Sequence, residues 1–378
     1  MRKLPEKRQK ITQHMHRFVW TITQRSPFAR LQTTISKSTI QMMTLSPRES
    51  GEHIVKNAKY VRVKPAGIER LTQEIVKAVV EKRLNVDNFS QHELHPKPTD
   101  PHAVEWIFVV DTLNFCFWTP TDYTKYKVNG YTGYFALCAA INRAMAEGMD
   151  ITDAAVYSEL DSATLKTVFR ADEADTNIPL LLERVKCLHE VGKRLLDKWH
   201  GKFENVVKAA NNSAVRLLQL IVDEFPCFRD QADYAGLRVN ILKRAQILIG
   251  DLWACFRGEG LGSFHDIGEI TMFADYRVPQ VLVHFNCLEY TPDLMEVLSS
   301  DTIMQNGDAM EVEIRGASIY ITEQVKDAVR KVLEKHHPEV SRANVNSILM
   351  DHFLWDYRRA HAKELEYIPF HKVLSIYY

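Results

Sequence analysis

Apolar positions in this chain recur mostly at three- and four-residue steps. In GIERLTQEIVKAVVEKRL they fall at 68, 71, 75, 76, 79, 80 and 84, and in IPLLLERVKCLHEVGKRLLDKW at 178, 181, 182, 185, 188, 191, 195, 196 and 199. VVKAANNSAVRLLQLIVDEF repeats the spacing from 206 to 225. Such spacing lines one stripe of a 3.6-residue helix. The same pattern predicts helices over 134–147, 241–256, 278–288, 320–335 and 343–358. Strand candidates are few: WIFVVDTLNFCFW (106–118), EVEIRG (311–316) and the final HKVLSIYY (371–378). None of them comes with a second alternating run and a tight Asn-Gly or Asp-Gly turn, which argues against a β-sandwich or barrel. The expected fold is mainly α, a compact helical domain with a few short strands.

The pattern has a clear start. Ser46, followed by Pro47 and by Glu49 three residues on, forms a capping-box signature. Ordered structure is therefore expected over 46–378, after an extension of residues 1–45. That extension carries nine Lys/Arg against the single acid Glu6. Its composition is that of a mitochondrial transit peptide, with a disordered extension as the plainer reading. Removing it from the chain's 48 basic and 48 acidic side chains leaves 39 and 47, so the body is acidic by eight charges. A body of that sign is poorly suited to neutralising the phosphates of duplex nucleic acid. The expectation is therefore no polymeric nucleic-acid partner.

With 46% hydrophobic and 25% charged residues, the chain has the balance of a soluble globular protein, and no run reaches the length of a membrane span. The six cysteines, at 116, 138, 187, 227, 255 and 287, include no C-x-x-C pair. Neither a zinc ribbon nor a disulfide framework is indicated, and reduced thiols fit a cytoplasmic location, with the mitochondrial one as the alternative.

Buried acids are the chemical signal. WIFVVDTLNFCFW sets Asp111 and Asn114 among apolar and aromatic side chains. A carboxylate there needs a donor, supplied either by the protein or by a ligand. The neighbouring rings Phe115, Phe117 and Trp118 favour a stacked nucleobase whose edge the polar groups read. In NILKRAQILIGDLWACF, Arg244 and Asp251 lie seven apart on one helical stripe, with Lys243 about 80° round from Asp251. An internal ion pair and a clamp on a phosphate or carboxylate are the two readings. ITMFADYRVPQ holds Asp275 between Phe273 and Tyr276 with Arg277 beside it. The rings would raise its pKa and the cations lower it, and the balance decides between acid and anion. RGEGLGSF (257–264) follows a helix and reads as a C-cap and turn, not a dinucleotide loop. Adjacent His336 and His337 lack metal-site spacing, and no G-x-S-x-G occurs, so no metal and no cofactor are expected. Near the end, SILMDHFLWDY carries Asp351, Trp355, Asp356 and Tyr357, and the terminal tyrosines suggest a C-terminus packed into the body.

WIFVVDTLNFCFW, YTGYFALCAAINRA, KRAQILIGDLW, ITMFADYRVPQ, EVEIRG, SILMDHFLWDY and PFHKVLSIYY, in this order, resemble the queuosine salvage protein family of queuosine 5′-phosphate N-glycosylases. The resemblance runs from about residue 46 to 378. It implies a helical fold related to that of the DNA glycosylases and release of queuine from queuosine 5′-monophosphate, a small-molecule partner. It further implies Asp275 as the essential carboxylate, Lys243 and Asp251 on the central helix, and Asp111, Asn114 and Phe115 around the base. Lys243 is the second catalytic candidate. Phe273 and Tyr276 would enclose the base, and Arg277, Arg315, Lys243 and His371 are the cations offered for the phosphate. Two other classes stand against this: a nucleotide- or nucleic-acid-binding module of glycosylase-like fold without turnover, and a helical scaffold whose buried acids are purely structural.

Overall fold

The computed structural model describes residues 45–120, 123–300, 302–342 and 345–378. The basic segment 1–44, and with it the choice between targeting signal and extension, lies outside the described residues. Ser46 caps the Pro47–Asn57 helix as the signature predicts: its Oγ accepts the Glu49 amide at 3.3 Å and its own amide donates to Glu49 Oε2 at 2.9 Å.

Fifteen helices and four two-stranded pairs make up the described residues. Among them no helix is long and apolar enough to cross a membrane. The expectation of a mainly α protein holds. The pairs Val61–Val63 with Leu288–Tyr290, Lys127–Val128 with Tyr131–Thr132, and Gln231–Tyr234 with Leu237–Asn240 are antiparallel; Ile303–Met304 pairs in parallel with Lys372–Val373.

All three predicted strands need correction. Residues 103–112 form a helix buried on every face, which periodicity alone cannot tell from a buried strand. It ends at Thr112, and two arginines from other helices take over its open carbonyls. Arg244 donates to the carbonyls of Thr112 and Asp111, and Arg184 to those of Leu113, Phe115 and Cys116. EVEIRG lies inside the 28-residue Ala309–His336 helix. Its alternating acids are inside rather than in solvent: Glu311 pairs with Arg315, while Glu313 accepts the amides of Lys59, Tyr60 and Val61 and the Tyr234 hydroxyl. Of HKVLSIYY only Lys372–Val373 is strand.

The helix predicted through 206–225 is two, Phe203–Ala209 and Ala214–Glu224. Asn211 and Asn212 sit at φ 50° and 59° between them, and Ser213 caps the second. Asn tolerates the left-handed region better than most residues.

The Ala309–His336 helix packs against Pro47–Asn57, Pro65–Val80, Val278–His284 and Ser347–Ala360. Where it meets Pro47–Asn57 the contact is glycine on both sides: a Cβ at Gly51 would sit 3.1 Å from the Gly316 carbonyl oxygen, and one at Gly316 only 2.4 Å from Ile54 Cδ1. Helix propensity alone would make Gly316→Ala stabilising by about 0.5–1 kcal/mol. The packing reverses the sign, and the variant is expected to lose about 1–3 kcal/mol in urea unfolding with an unchanged m-value. A neutral or stabilised variant would contradict this account of the crossing.

Candidate active site

A cleft of about 1240 Å³ opens into the helical body. Its floor comes from the loop after Thr112, the first turn of the Lys243–Cys255 helix, the segment leading into Val278–His284 and one face of Ser347–Ala360. Eight of the sequence candidates line it: Asn114, Phe115, Lys243, Asp251, Phe273, Asp275, Tyr276 and Arg277.

Asp275 is fixed by one oxygen. Oδ1 accepts the amides of Arg277 at 2.9 Å and Val278 at 2.8 Å, capping the helix that begins there. Among the described residues no hydrogen bond to Oδ2 is formed. Burial raises the pKa of this carboxyl, against the lowering effects of the Val278 amide and Lys243, so desolvation wins the contest posed by its flanking rings.

Lys243 is buried at the start of its helix, after a left-handed Leu242 at φ 52°. Its Nζ donates to the Asn114 carbonyl at 3.2 Å. Burial pulls its pKa down, while Asp275, Asp111 and Asp351 pull it up. It also favours the ionised form of Asp251, so one ammonium serves four carboxyl groups.

Asp251 and Asp351 are held well above the ordinary carboxylate range, chiefly by burial and then by neighbouring acids. Asp351 Oδ1 accepts the Phe273 amide at 3.0 Å, and Asp251 lies 3.8 Å from His352, whose pKa burial lowers to about 4. Burial in the free cleft therefore favours the protonated form of these acids and keeps the imidazole neutral at neutral pH.

Three candidates are not among the cleft-lining residues. Asp111 is wholly buried, its pKa raised by burial to about 7, and it reaches the cleft only through Asn114, whose Nδ2 donates to Oδ1 at 3.1 Å. Arg315 is committed to Asp230 and Glu311 in the interior, so its place as a phosphate ligand is not sustained. His371 is also interior, packed at 5.5 Å from the Tyr378 ring, with neither nitrogen bonded among the described residues. Phe115 lines the cleft but has no exposed surface, and guanidiniums of Arg184 and Arg244 lie 4.3 and 5.1 Å from its ring. Its face is occupied, which removes it as a stacking platform.

Sequence reasoning named Asp351 and Trp355 without assigning them a role and missed Arg358; all three line the cleft. Their i, i+4, i+7 spacing on one helix was the available signal. It also missed the cation pair. Arg277 Nη1 and Arg358 Nε both donate to Gln280 Oε1, at 3.3 and 2.8 Å, and neither has a carboxylate within 4.0 Å among the described residues. Arg277 lies 4.2 Å over the Phe370 ring. Burial and then Arg277 lower the pKa of Arg358. The C-terminus does pack into the body, with the Tyr378 ring 3.9 Å from the Arg315 guanidinium.

Fold and site together define a mainly helical protein built around one deep cleft with aromatic walls, a floor of buried acids around a single lysine, and a pair of arginines at its side. The chain belongs to the queuosine salvage protein family, whose profile matches residues 94–378. It is 43% identical over 338 residues to the queuosine 5′-phosphate N-glycosylase/hydrolase of Mus musculus, covering 88% of this chain and 99% of that protein. The protein of the same name in Schizosaccharomyces pombe is 37% identical over 87% of this chain and 99% of its own length. That of Sphaerobacter thermophilus is 38% identical over 76% and 84%.

The interior position of His371 has a consequence for pH. Burial lowers its pKa to about 3, whereas in the unfolded chain it titrates near 6.5. As pH falls below about 6.5 the unfolded state gains a proton that the folded state refuses, so stability falls. His371→Leu removes this contribution. Its stability should decline less steeply than the wild type's between about pH 6.5 and 4, by up to about 1.4 kcal/mol per pH unit, in urea titrations at each pH. Parallel curves would return His371 to a protonated or solvated position.

Proposed function

We propose that this protein hydrolyses the N-glycosidic bond of queuosine 5′-monophosphate and releases queuine. The observation that carries the reading is the anchoring of Asp275 in the cleft: two backbone amides hold Oδ1, no hydrogen bond to Oδ2 is formed among the described residues, and Lys243, which lines the same cleft, favours the charged form.

Cleavage of the bond develops positive charge at C1′ as the base departs with the bonding electrons. An ionised Asp275 against that carbon stabilises the charge, and it orients or deprotonates the water that adds to C1′. The raised pKa makes the same carboxylate a better proton acceptor. Lys243 favours its ionised form. A 7-deazapurine carries carbon in place of N7, so the leaving group cannot be neutralised there. Lys243 and Asn114 are the cleft groups placed to stabilise the departing base, with Asp111 orienting the Asn114 amide. Asp251 is the acceptor for the two adjacent donors of a guanine-like edge, giving up its proton on binding. Phe273 and Tyr276 wall the base and exclude water.

The 5′-phosphate falls to Arg277 and Arg358, which replace Arg315 and His371 in that role. Two guanidiniums drawn onto one amide oxygen, with no carboxylate partner within 4.0 Å among the described residues, form a dianion site.

Asp275→Asn should remain folded and bind the nucleotide, with kcat reduced about 10²–10⁴-fold, read by chromatography of released base. Because the ionised form acts, wild-type kcat should fall as pH drops through the raised carboxyl pKa, placing the acid limb above the ordinary value of about 3.9. Wild-type turnover by Asp275→Asn would end the reading. Arg358→Ala should raise KM for the nucleotide about 10–100-fold, as for a lost charged hydrogen bond. It should leave KM for the nucleoside queuosine unchanged. Equal effects on both substrates would place the phosphate elsewhere.

A further inference from the structure

Arg315 lies in the Ala309–His336 helix with 1% of its side chain exposed, and its guanidinium touches the segment that supplies Asp275 directly and the one that supplies Lys243 through Asp230. Nε donates to the Ala274 carbonyl at 2.9 Å, one residue before Asp275. Nη1 and Nη2 grip the two oxygens of Asp230 at 2.9 and 2.5 Å. Asp230 Oδ2 in turn accepts the Lys243 amide at 2.9 Å, and the Asp230 carbonyl accepts those of Ile241 and Leu242 at 3.0 and 3.1 Å. Two side chains thus connect residue 274 to residue 243.

The second link holds a strained turn. Leu242, at φ 52° and ψ 40°, is a left-handed non-glycine residue, a conformation that persists only where its surroundings over-determine it. Asp230 supplies three hydrogen bonds across this turn, on the amides of 241, 242 and 243. The two on the backbone carbonyl persist whatever the side chain does; the third, on Oδ2, depends on the carboxylate that Arg315 grips, and without it the Lys243 amide loses its anchor and the first turn of the helix, with the Lys243 side chain, moves relative to Asp275.

We propose that the buried Arg315–Asp230 pair is a positioning device for the reaction, setting the separation of Asp275 and Lys243. The inference rests on the function proposed above. Glu311 provides its internal control. It accepts Arg315 Nη1 at 2.9 Å and neutralises the same guanidinium, yet it contacts neither residue 274 nor residue 243. Its other oxygen takes the Gly307 amide. A purely structural ion-pair network predicts that losing either carboxylate has the same kind of effect. A positioning role predicts that they differ.

The test compares wild type, Asp230→Asn and Glu311→Gln for release of base from queuosine 5′-monophosphate, with thermal unfolding alongside. Both variants should be less stable. Asp230→Asn should lose about 10–100-fold in kcat with KM within about threefold, the signature of misplaced reacting groups. Its acid limb should move to higher pH, because Asp275 loses part of the lowering effect of Lys243. Glu311→Gln should keep kcat within about threefold. Equal kcat losses in the two variants, or wild-type kcat in Asp230→Asn, overturn the proposal. Should Asp230→Asn not be recovered folded, Arg315→Lys decides: one ammonium cannot serve the Ala274 carbonyl and both Asp230 oxygens, so undiminished kcat there overturns it as well. A wild type that releases no base fails the functional reading itself, whereas an active wild type with indistinguishable variants fails the positioning role alone.

Discussion

The free energy of placing carboxyl groups away from water governs this molecule. Four acids, Asp111, Asp251, Asp275 and Asp351, stand in or behind one cleft, and the cation common to them is the buried Lys243. One ammonium cannot hold four carboxylates ionised in such a place, so protons remain on several of them. Asp111 is relieved by the Asn114 amide, Asp275 by two backbone amides and Asp351 by the Phe273 amide. Each bond fixes a different chain segment to the cleft. Satisfying the acids and shaping the cleft are therefore one task.

Helices were legible wherever one face is apolar and the other wet. The Leu181–Lys198 helix falls within three residues of the periodicity, and Ser46 announced its own cap. Lys243–Cys255, buried on nearly every face, was legible as well, because its run is too long for a strand. The failures share a physical origin. Ala103–Thr112 is buried all round and carries no polar face to betray its period. In EVEIRG the charges alternate because Glu313 and Arg315 answer partners from other parts of the fold and Glu311 answers Arg315, not because a sheet has two faces. Local pattern cannot encode a partner some eighty residues away, as Asp230 is from Arg315.

The site divides in the same way. Asp275, Lys243 and Asp251 stood out because an ionisable residue among apolar ones is costly wherever the chain folds, and all three line the cleft. Arg315 and His371 were offered only as cations for the phosphate and do not, since a basic side chain by itself does not say whether protein or ligand supplies its partner. Arg358 escaped notice as one of two adjacent arginines at the end of a helix, an ordinary place for cations. Its meaning depends on Arg277 and Gln280, brought beside it only by the fold.

The order of charges along the cleft bears on why the proposed substrate is a nucleotide. Asp251 feels Asp111 and Lys243; Lys243 feels Asp275 most strongly; Asp275 feels Arg277; and Arg358 feels both Arg277 and Asp275. This sequence runs from acids, through a lysine and the anchored Asp275 with Asp351 beside it, to a pair of arginines. A nucleoside monophosphate presents the complementary series: hydrogen-bond donors on a guanine-like edge, the bond to be broken, the anomeric carbon, and a dianion. Reversed in the cleft, it would set phosphate against buried acids and leave two guanidiniums facing a neutral base, an arrangement penalised at both ends. The charge order thus favours the proposed ligand in one direction, the one the proposed role of Asp275 requires. A scaffold whose buried acids served stability alone would have no reason to arrange them in that order, since apolar side chains of similar volume fill a core at least as well.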